Sequence, residues 1–167
     1  MDALEVIFTR RSIRRYTDNP VSPEDLETIL DAGMNAPSAN NRQPWHFIVV
    51  TDREKLTSIT KVHPYTQMLK QAPVAILVCG DTTVSPTYWE QDCSAATENI
   101  LLAARALNLG TVWCGVFPNE DRIRGIKSLF NIPDKIQPLN VIALGYPSEI
   151  KGRADRFNPD AIHKNTW

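Results

Sequence analysis

The stretch from Tyr88 to Leu109 narrows most sharply what this chain can fold into. It reads as the longest helix, and in its second half Ile100, Leu101, Leu102, Ala103, Ala104 and Leu107 leave little polar surface. A helix apolar nearly all round is buried, either inside a core or between subunits. Gly110 behind it suits the position just past a helix end. The rest of the chain offers elements to cover it, as helices alternating with short apolar runs. "DALEVIF" is a helix that Asp2 can cap. "SPEDLETILDAG" is another, with Ser22 as cap, Pro23 in the first turn and Gly33 at its end. "DREKLTSIT" and "NEDRIRGIKSLF" are further helices, capped by Asp52 and Asn119. "WHFIVVT", "PVAILVCG", "TVWCGVF" and "PLNVIALGY" read as strands from their β-branched and apolar content.

With 167 residues, 43% of them apolar and 22% charged, the chain suits one globular domain with a sizeable core. A net charge of −1 and a pI near 6.3 argue against a general nucleic-acid binder. The start "MDALEVIFTRR" lacks the pattern of a secretory signal, and no apolar run is long enough for a membrane span, so a cytoplasmic protein is expected. Cys79, Cys93 and Cys114 lack paired spacing and read as buried, reduced thiols. His46, His63 and His163 are scattered, and none pairs with a carboxylate at metal-ligand spacing, so no metal site is expected. His63, before Pro64, reads as a loop residue. The polar C-terminal stretch ends on Trp167, which fits either a disordered tail or a segment wrapped onto the body or a partner.

One charged feature stands out against this neutral background. "TRRSIRRYT" places Arg10, Arg11, Arg14 and Arg15 within six positions. It can be a solvated charge run, a phosphorylation site at Ser12, a nucleic-acid contact, or a site for one compact anion. The last reading has a physical basis, because arginine is always charged and its forked donors match phosphate oxygens. A second polar stretch, "NAPSANNRQPW", sets Ser38, Asn40, Asn41 and Gln43 between Pro37 and Pro44. Its mixed donors and acceptors suit the edge of a planar heterocycle or a sugar, or they satisfy their own loop.

"RRSIRRY", "APSANNRQPWHFIVV", "AATENILLAARALNLGTVWCG", "IALGYP" and "RFNPDAIHKNTW" follow one another in this order. Together they resemble the FMN-dependent nitroreductase family over almost the whole chain. The resemblance implies an α+β fold with a central, mostly antiparallel sheet flanked by helices. It implies one domain over residues 1–167, with 147–167 as a C-terminal extension wrapping the partner of an intertwined homodimer. Two FMN sites would lie at the subunit interface, with NADH or NADPH as electron donor and a small-molecule acceptor such as a nitroaromatic or a quinone. Matched by position, Arg10, Ser12 and Arg14 would meet the FMN phosphate and ribityl chain, with Arg11 close by. Pro37, Ser38, Asn41 and Gln43 would reach the same flavin from the other subunit. Cys114 and Gly115, in the "WCGV" turn, would lie against the ring. Arg156, with Arg153 as its rival, would return to the phosphate, and Arg15 would face solvent.

The absence of a visible catalytic acid or base suits a flavoenzyme, whose hydride chemistry resides on the cofactor. The lack of G-x-G-x-x-G spacing implies no separate dinucleotide module. The family resemblance implies that donor and acceptor use one flavin face in turn, a ping-pong scheme. A flavin carrier or sensor on the same fold is the alternative. "DTTVSPTYWEQD" is the expected remnant of a substrate lid, in which Tyr88 and Trp89 either stack on an acceptor or begin the long helix.

Overall fold

A computed structural model describes every residue from Met1 to Trp167. Five helices and four strands follow one another: α1 Ala3–Thr9, α2 Pro23–Met34, β1 Trp45–Val50, α3 Arg53–Val62, β2 Val74–Asp81, α4 Trp89–Ala106, β3 Gly110–Gly115, α5 Glu120–Phe130 and β4 Ile136–Gly145. Four helices start where their side-chain caps place them. Asp2 accepts from Glu5 N, Ser22 from Asp25 N, Asp52 from Lys55 N and Asn119 from Arg122 N, each at 2.8–3.0 Å. A 3-10 segment, Pro64–Lys70, follows α3 where the sequence shows only a loop.

The sheet has the order β1-β2-β4-β3, and every strand pair is antiparallel. β2 and β4 are central, so every residue of β2 is buried. Alternation along β2 explains its unbroken apolar run. Ala75, Leu77 and Cys79 face one core with Leu56 and Ile59 of α3 and Ile126 of α5. Val74, Ile76 and Val78 face the other, with Ile29 of α2 and Ile100 of α4. Both faces are covered, so neither needs polar residues. Pro138 sits in β4 beside a bulge, where Leu139 is the extra residue between the pairs Val78–Asn140 and Cys79–Pro138.

Two helix ends differ from expectation. Gly33 does not end α2; Asn35 caps it, and Gly33 is buried where a Cβ would come within 2.8 Å of Ile100 Cγ1. Its role is close packing of α2 on α4. Gly110 does not end α4 either. Asn108 takes the left-handed conformation there, with φ 61°, as asparagine tolerates. Gly110 opens β3, pressed against Ile13. Trp89 begins α4 as a core residue, edge-on to Phe117 at 5.0 Å, while Tyr88 stays exposed. Cys79, Cys93 and Cys114 are free and buried. No helix is long and apolar enough to cross a membrane.

The C-terminal stretch divides into two parts. Its start is pinned to the body, with Pro147 bridged to Tyr16 and Ser148 N donating to Arg15 O at 2.9 Å. Beyond it, Phe157, Ile162 and Trp167 are exposed, Trp167 fully so.

Candidate functional site

The arginine segment lies along the free edge of β3. Ile13 N donates to Thr111 O at 2.8 Å, and Ser12 forms an isolated parallel bridge to Thr111. Tyr16 anchors the far end: its buried hydroxyl donates to Ile13 O at 2.7 Å, with Ala143 O 3.3 Å away sharing the same proton. The tail closes over the segment. Lys151 Nζ donates to Ser12 O at 2.6 Å, and Arg11 donates to Gly152 O. Glu149 accepts from Arg14 N at 2.6 Å and pairs with Lys151 at 3.4 Å. Those donors, the Arg14 N–H foremost, hold its carboxyl below the ordinary range.

The register of β3 decides what its edge offers. Cys114 pairs with Val141, and Val116 N donates to Leu139 O, so the even-numbered residues bond to β4. Thr111, Trp113 and Gly115 therefore point their peptide groups outward. The Gly115 carbonyl is taken twice, by His63 Nε2 at 2.8 Å and by Arg122 Nη1 at 3.0 Å. The N–H groups of Trp113 and Gly115 have no protein partner on that side. His63 is fully buried, and its Nδ1 accepts from Tyr65 N at 3.3 Å. Burial holds its pKa below the ordinary value, so the ring is neutral with its proton on Nε2. Burial also pushes the Cys114 thiol up to about 11, against the pull of Arg14 and Arg122. It is no thiolate nucleophile.

Three cavities surround the arginine segment, and two of them reach β3. One of about 460 Å³ is bounded by Arg14, His63, Gln67, Trp113, Gly115 and Arg122. One of about 150 Å³, near Thr111, is bounded by Arg10, Arg11, Arg105, Glu149 and Lys151. The third, about 740 Å³, is bounded by Arg10, Phe8, Glu98, Arg153 and Arg156. β3 extends roughly 17 Å between its ends, with the cavity over Trp113 and Gly115 at one end and the one beside Thr111 at the other. A Cβ on Gly115 would meet nothing within 4 Å, so no protein atom requires glycine there. The free edge donors, the open space over Gly115 and the nearby guanidiniums fit a planar polar ring with an anionic arm.

The expected site residues fall into two groups. Arg10, Arg11, Ser12, Arg14, Cys114 and Gly115 gather along this edge, and exposed Arg156 joins them only through the cavity it shares with Arg10, which no β3 residue lines. Arg10 also pairs with Glu98 at 3.3 Å, and Arg153 lies over the Phe8 ring at 4.2 Å, in the same cavity as Arg156. Arg15 is exposed. Pro37, Ser38, Asn41 and Gln43 line none of the three cavities. Their loop is nonetheless tightly built: Gln43 N donates to Ser38 Oγ at 3.0 Å, and Asp92 Oδ1 accepts from Ala39 N at 2.8 Å. Asn40, Asn41 and Gln43 hold positive φ of 53°, 54° and 49°, a conformation costly for glutamine. Sequence reasoning misses His63, Arg122, Glu149 and Lys151. Arg122 looks like a solvated helix charge beside Glu120 and Asp121, and only the fold turns it toward Gly115.

Comparison with known proteins places this geometry among relatives. The model of the nitroreductase family matches residues 7–64 and 60–146. A protein of Methanothermobacter thermautotrophicus, provisionally named an NADH dehydrogenase/NAD(P)H nitroreductase, is 56% identical over 100% of this chain and 88% of its own length. A solved structure from Parabacteroides distasonis, under the same provisional name, matches with a TM-score of 0.97 and 45% identity, covering 99% of this chain and 98% of that one. Another, a provisionally named nitroreductase from Desulfovibrio desulfuricans solved in complex with FMN, matches at 0.86 with 33% identity, over 100% and 98% of the two chains.

Proposed function

The chain belongs to the nitroreductase family and is an FMN-dependent NAD(P)H oxidoreductase, and from that premise we propose that it is a homodimer reducing nitroaromatics, quinones or related acceptors by a ping-pong scheme. One observation carries the assignment of the site. The unpartnered N–H groups of Trp113 and Gly115 stand beside Arg14, with open space over Gly115. The chemistry that FMN supplies when bound is uptake of a hydride from NAD(P)H and its release to an acceptor.

The chain's own residues bind and orient. Cys114 and Gly115 form the backbone edge for the ring. Arg14, expected at the phosphate and ribityl chain, instead lines the cavity over Gly115 and sets a fixed positive charge next to the ring. Arg10, Arg11, Ser12 and Arg156 hold the ribityl and phosphate end, where charge-assisted bonds are strongest. Residues 1–167 act as one FMN-binding domain, with 147–167 as its extension. Pro37, Ser38, Asn41 and Gln43 serve the flavin of the other subunit, which accounts for a tightly bonded loop that lines none of the three cavities. Exposed Leu4, Ile7 and Phe8 of α1, half-exposed Leu102 and Leu107, and the free end at Trp167 support an intertwined dimer. The cytoplasm, where NAD(P)H is at hand, is the proposed location.

The test is anaerobic. The FMN-loaded protein is mixed with NADH or NADPH, and the flavin absorbance is followed. It should bleach with at least one of them and return when a nitroaromatic or quinone is added in a separate step. Bound flavin that neither nicotinamide bleaches would mark a carrier or sensor instead.

A further inference from the structure

We propose that the acceptor reduced at this site is an aromatic anion, and that Arg122 receives its carboxylate or sulfonate group. The inference rests on reading the 460 Å³ cavity as the flavin site. That cavity is lined by two guanidiniums, Arg14 and Arg122, and by no carboxylate. Neither arginine forms an ion pair, since the four in the molecule are Arg10–Glu98, Arg124–Asp121, Lys135–Asp81 and Lys151–Glu149. His63, whose Nδ1 accepts from Tyr65 N, is neutral and adds no charge of its own.

The two arginines are not equivalent. Arg14 lies on the segment that follows the β3 edge and belongs with the cofactor contacts. Arg122 comes from α5 and is held by the protein itself. One N–H donates to Gly115 O at 3.0 Å, and the guanidinium lies over the Tyr65 ring, 5.0 Å from its centre. Of the five donors on an arginine fork, four are left without a protein partner. Arg53, by contrast, spends its fork on the protein, donating to Leu69 O and Ala72 O at 2.7 and 3.0 Å and closing a structural turn. A half-buried, oriented and unpaired guanidinium beside a cavity is a receptor for a planar anion. Trp113, 37% exposed, and Tyr65, 68% exposed, add flat apolar surface that suits an aromatic body. The uncompensated charge also concentrates anions at the mouth, an effect that salt screens.

The test compares two acceptors that share a nitro ring, 4-nitrobenzoate and 4-nitrobenzamide. The first two-electron step is balanced for both: the nitro compound, NAD(P)H and a proton give the nitroso compound, NAD(P)⁺ and water. The FMN-loaded wild type should show a kcat/KM at least about tenfold higher for the anion, the scale of one charge-assisted hydrogen bond. In Arg122→Gln that ratio should collapse toward one, and Arg122→Lys, which keeps the charge without the fork, should retain part of it. Raising the salt from about 50 to about 500 mM should lower the ratio in the wild type.

Binding gives a readout independent of turnover. Benzoate should perturb the absorbance of bound flavin at lower concentration than benzamide does, and Arg122→Gln should abolish the difference. Equal wild-type ratios and equal binding would overturn the proposal. So would an Arg122→Gln protein that lowers both acceptors alike or loses FMN, because Arg122 would then serve the cofactor or the fold. Should flavin bind but resist both nicotinamides, the functional reading fails while the benzoate titration still decides this one.

Discussion

Two polar regions of this molecule are built on opposite plans. The turn between β2 and α4 is closed. Asp81 accepts from Thr83 N at 2.8 Å and from the Thr83 hydroxyl, and pairs with Lys135 at 2.8 Å. Asp92 accepts from Ser85 Oγ at 2.9 Å and Ala39 N at 2.8 Å. Each carboxylate there meets donors from its own chain. The β3 edge is open: Trp113 N and Gly115 N, the Arg14 fork and most of the Arg122 fork face a cavity without protein partners. A polar cluster that satisfies itself supports the fold, whereas one left incomplete waits for a ligand. The stretch expected to be a substrate lid is thus the closed region, with Trp89 in the core.

The contrast breaks first at Asp92. Asp92→Ala strands the buried Ser85 hydroxyl and the Ala39 N–H, and should cost about 3 kcal/mol in denaturant unfolding. Asp92→Asn, which keeps an acceptor for Ala39 N, should recover part of that. A loss below about 0.5 kcal/mol would show that the closed region is not held as described. On the open side the effects should reverse. Arg14→Ala should leave unfolding nearly unchanged but weaken FMN binding by about 1.5–3 kcal/mol in a fluorescence titration. An unaltered FMN affinity would remove Arg14 from the cofactor contacts.

Acid should separate the regions as well. Lys135 above all, and then Thr83, hold the Asp81 carboxyl well below its ordinary value near 3.8. A depressed folded-state pKa stabilises the fold above the unfolded value, and that contribution is lost as pH falls through the folded value. Asp81→Asn should therefore be less stable than wild type at pH 7, with the gap narrowing as pH drops below about 4. A gap that stays constant across that window would contradict the pairing. The smallest effect belongs to Arg15, which is exposed. Arg15→Ala should change FMN affinity by less than about 0.5 kcal/mol in the same titration.

Sequence reading reaches the fold through local rules and loses the site where long-range contacts take over. Asp2, Ser22, Asp52 and Asn119 announce their helices because a cap bonds three residues ahead. The arginine segment and the "WCGV" turn are legible as motifs, and their proximity follows only from the resemblance. Gly33 and Gly110 mislead because a glycine that admits a neighbouring side chain looks the same as one that ends a helix. His63 and Arg122 stay hidden because their shared acceptor, the Gly115 carbonyl, is 52 residues from one and seven from the other. No spacing rule connects a side chain to a distant backbone oxygen. The free edge of β3 is equally invisible, since it depends on strand order.

The central claim is that the space over Gly115 belongs to FMN. Gly115→Ala tests it most directly, because a Cβ there meets no protein atom within 4 Å. Apo Gly115→Ala should be at least as stable as apo wild type, since alanine fits the strand and restricts the unfolded chain, while FMN titration should show an affinity at least about tenfold lower for the variant, the scale of overpacking by one methyl group. Equal FMN affinity in the two proteins would contradict the account and move the cofactor away from this edge.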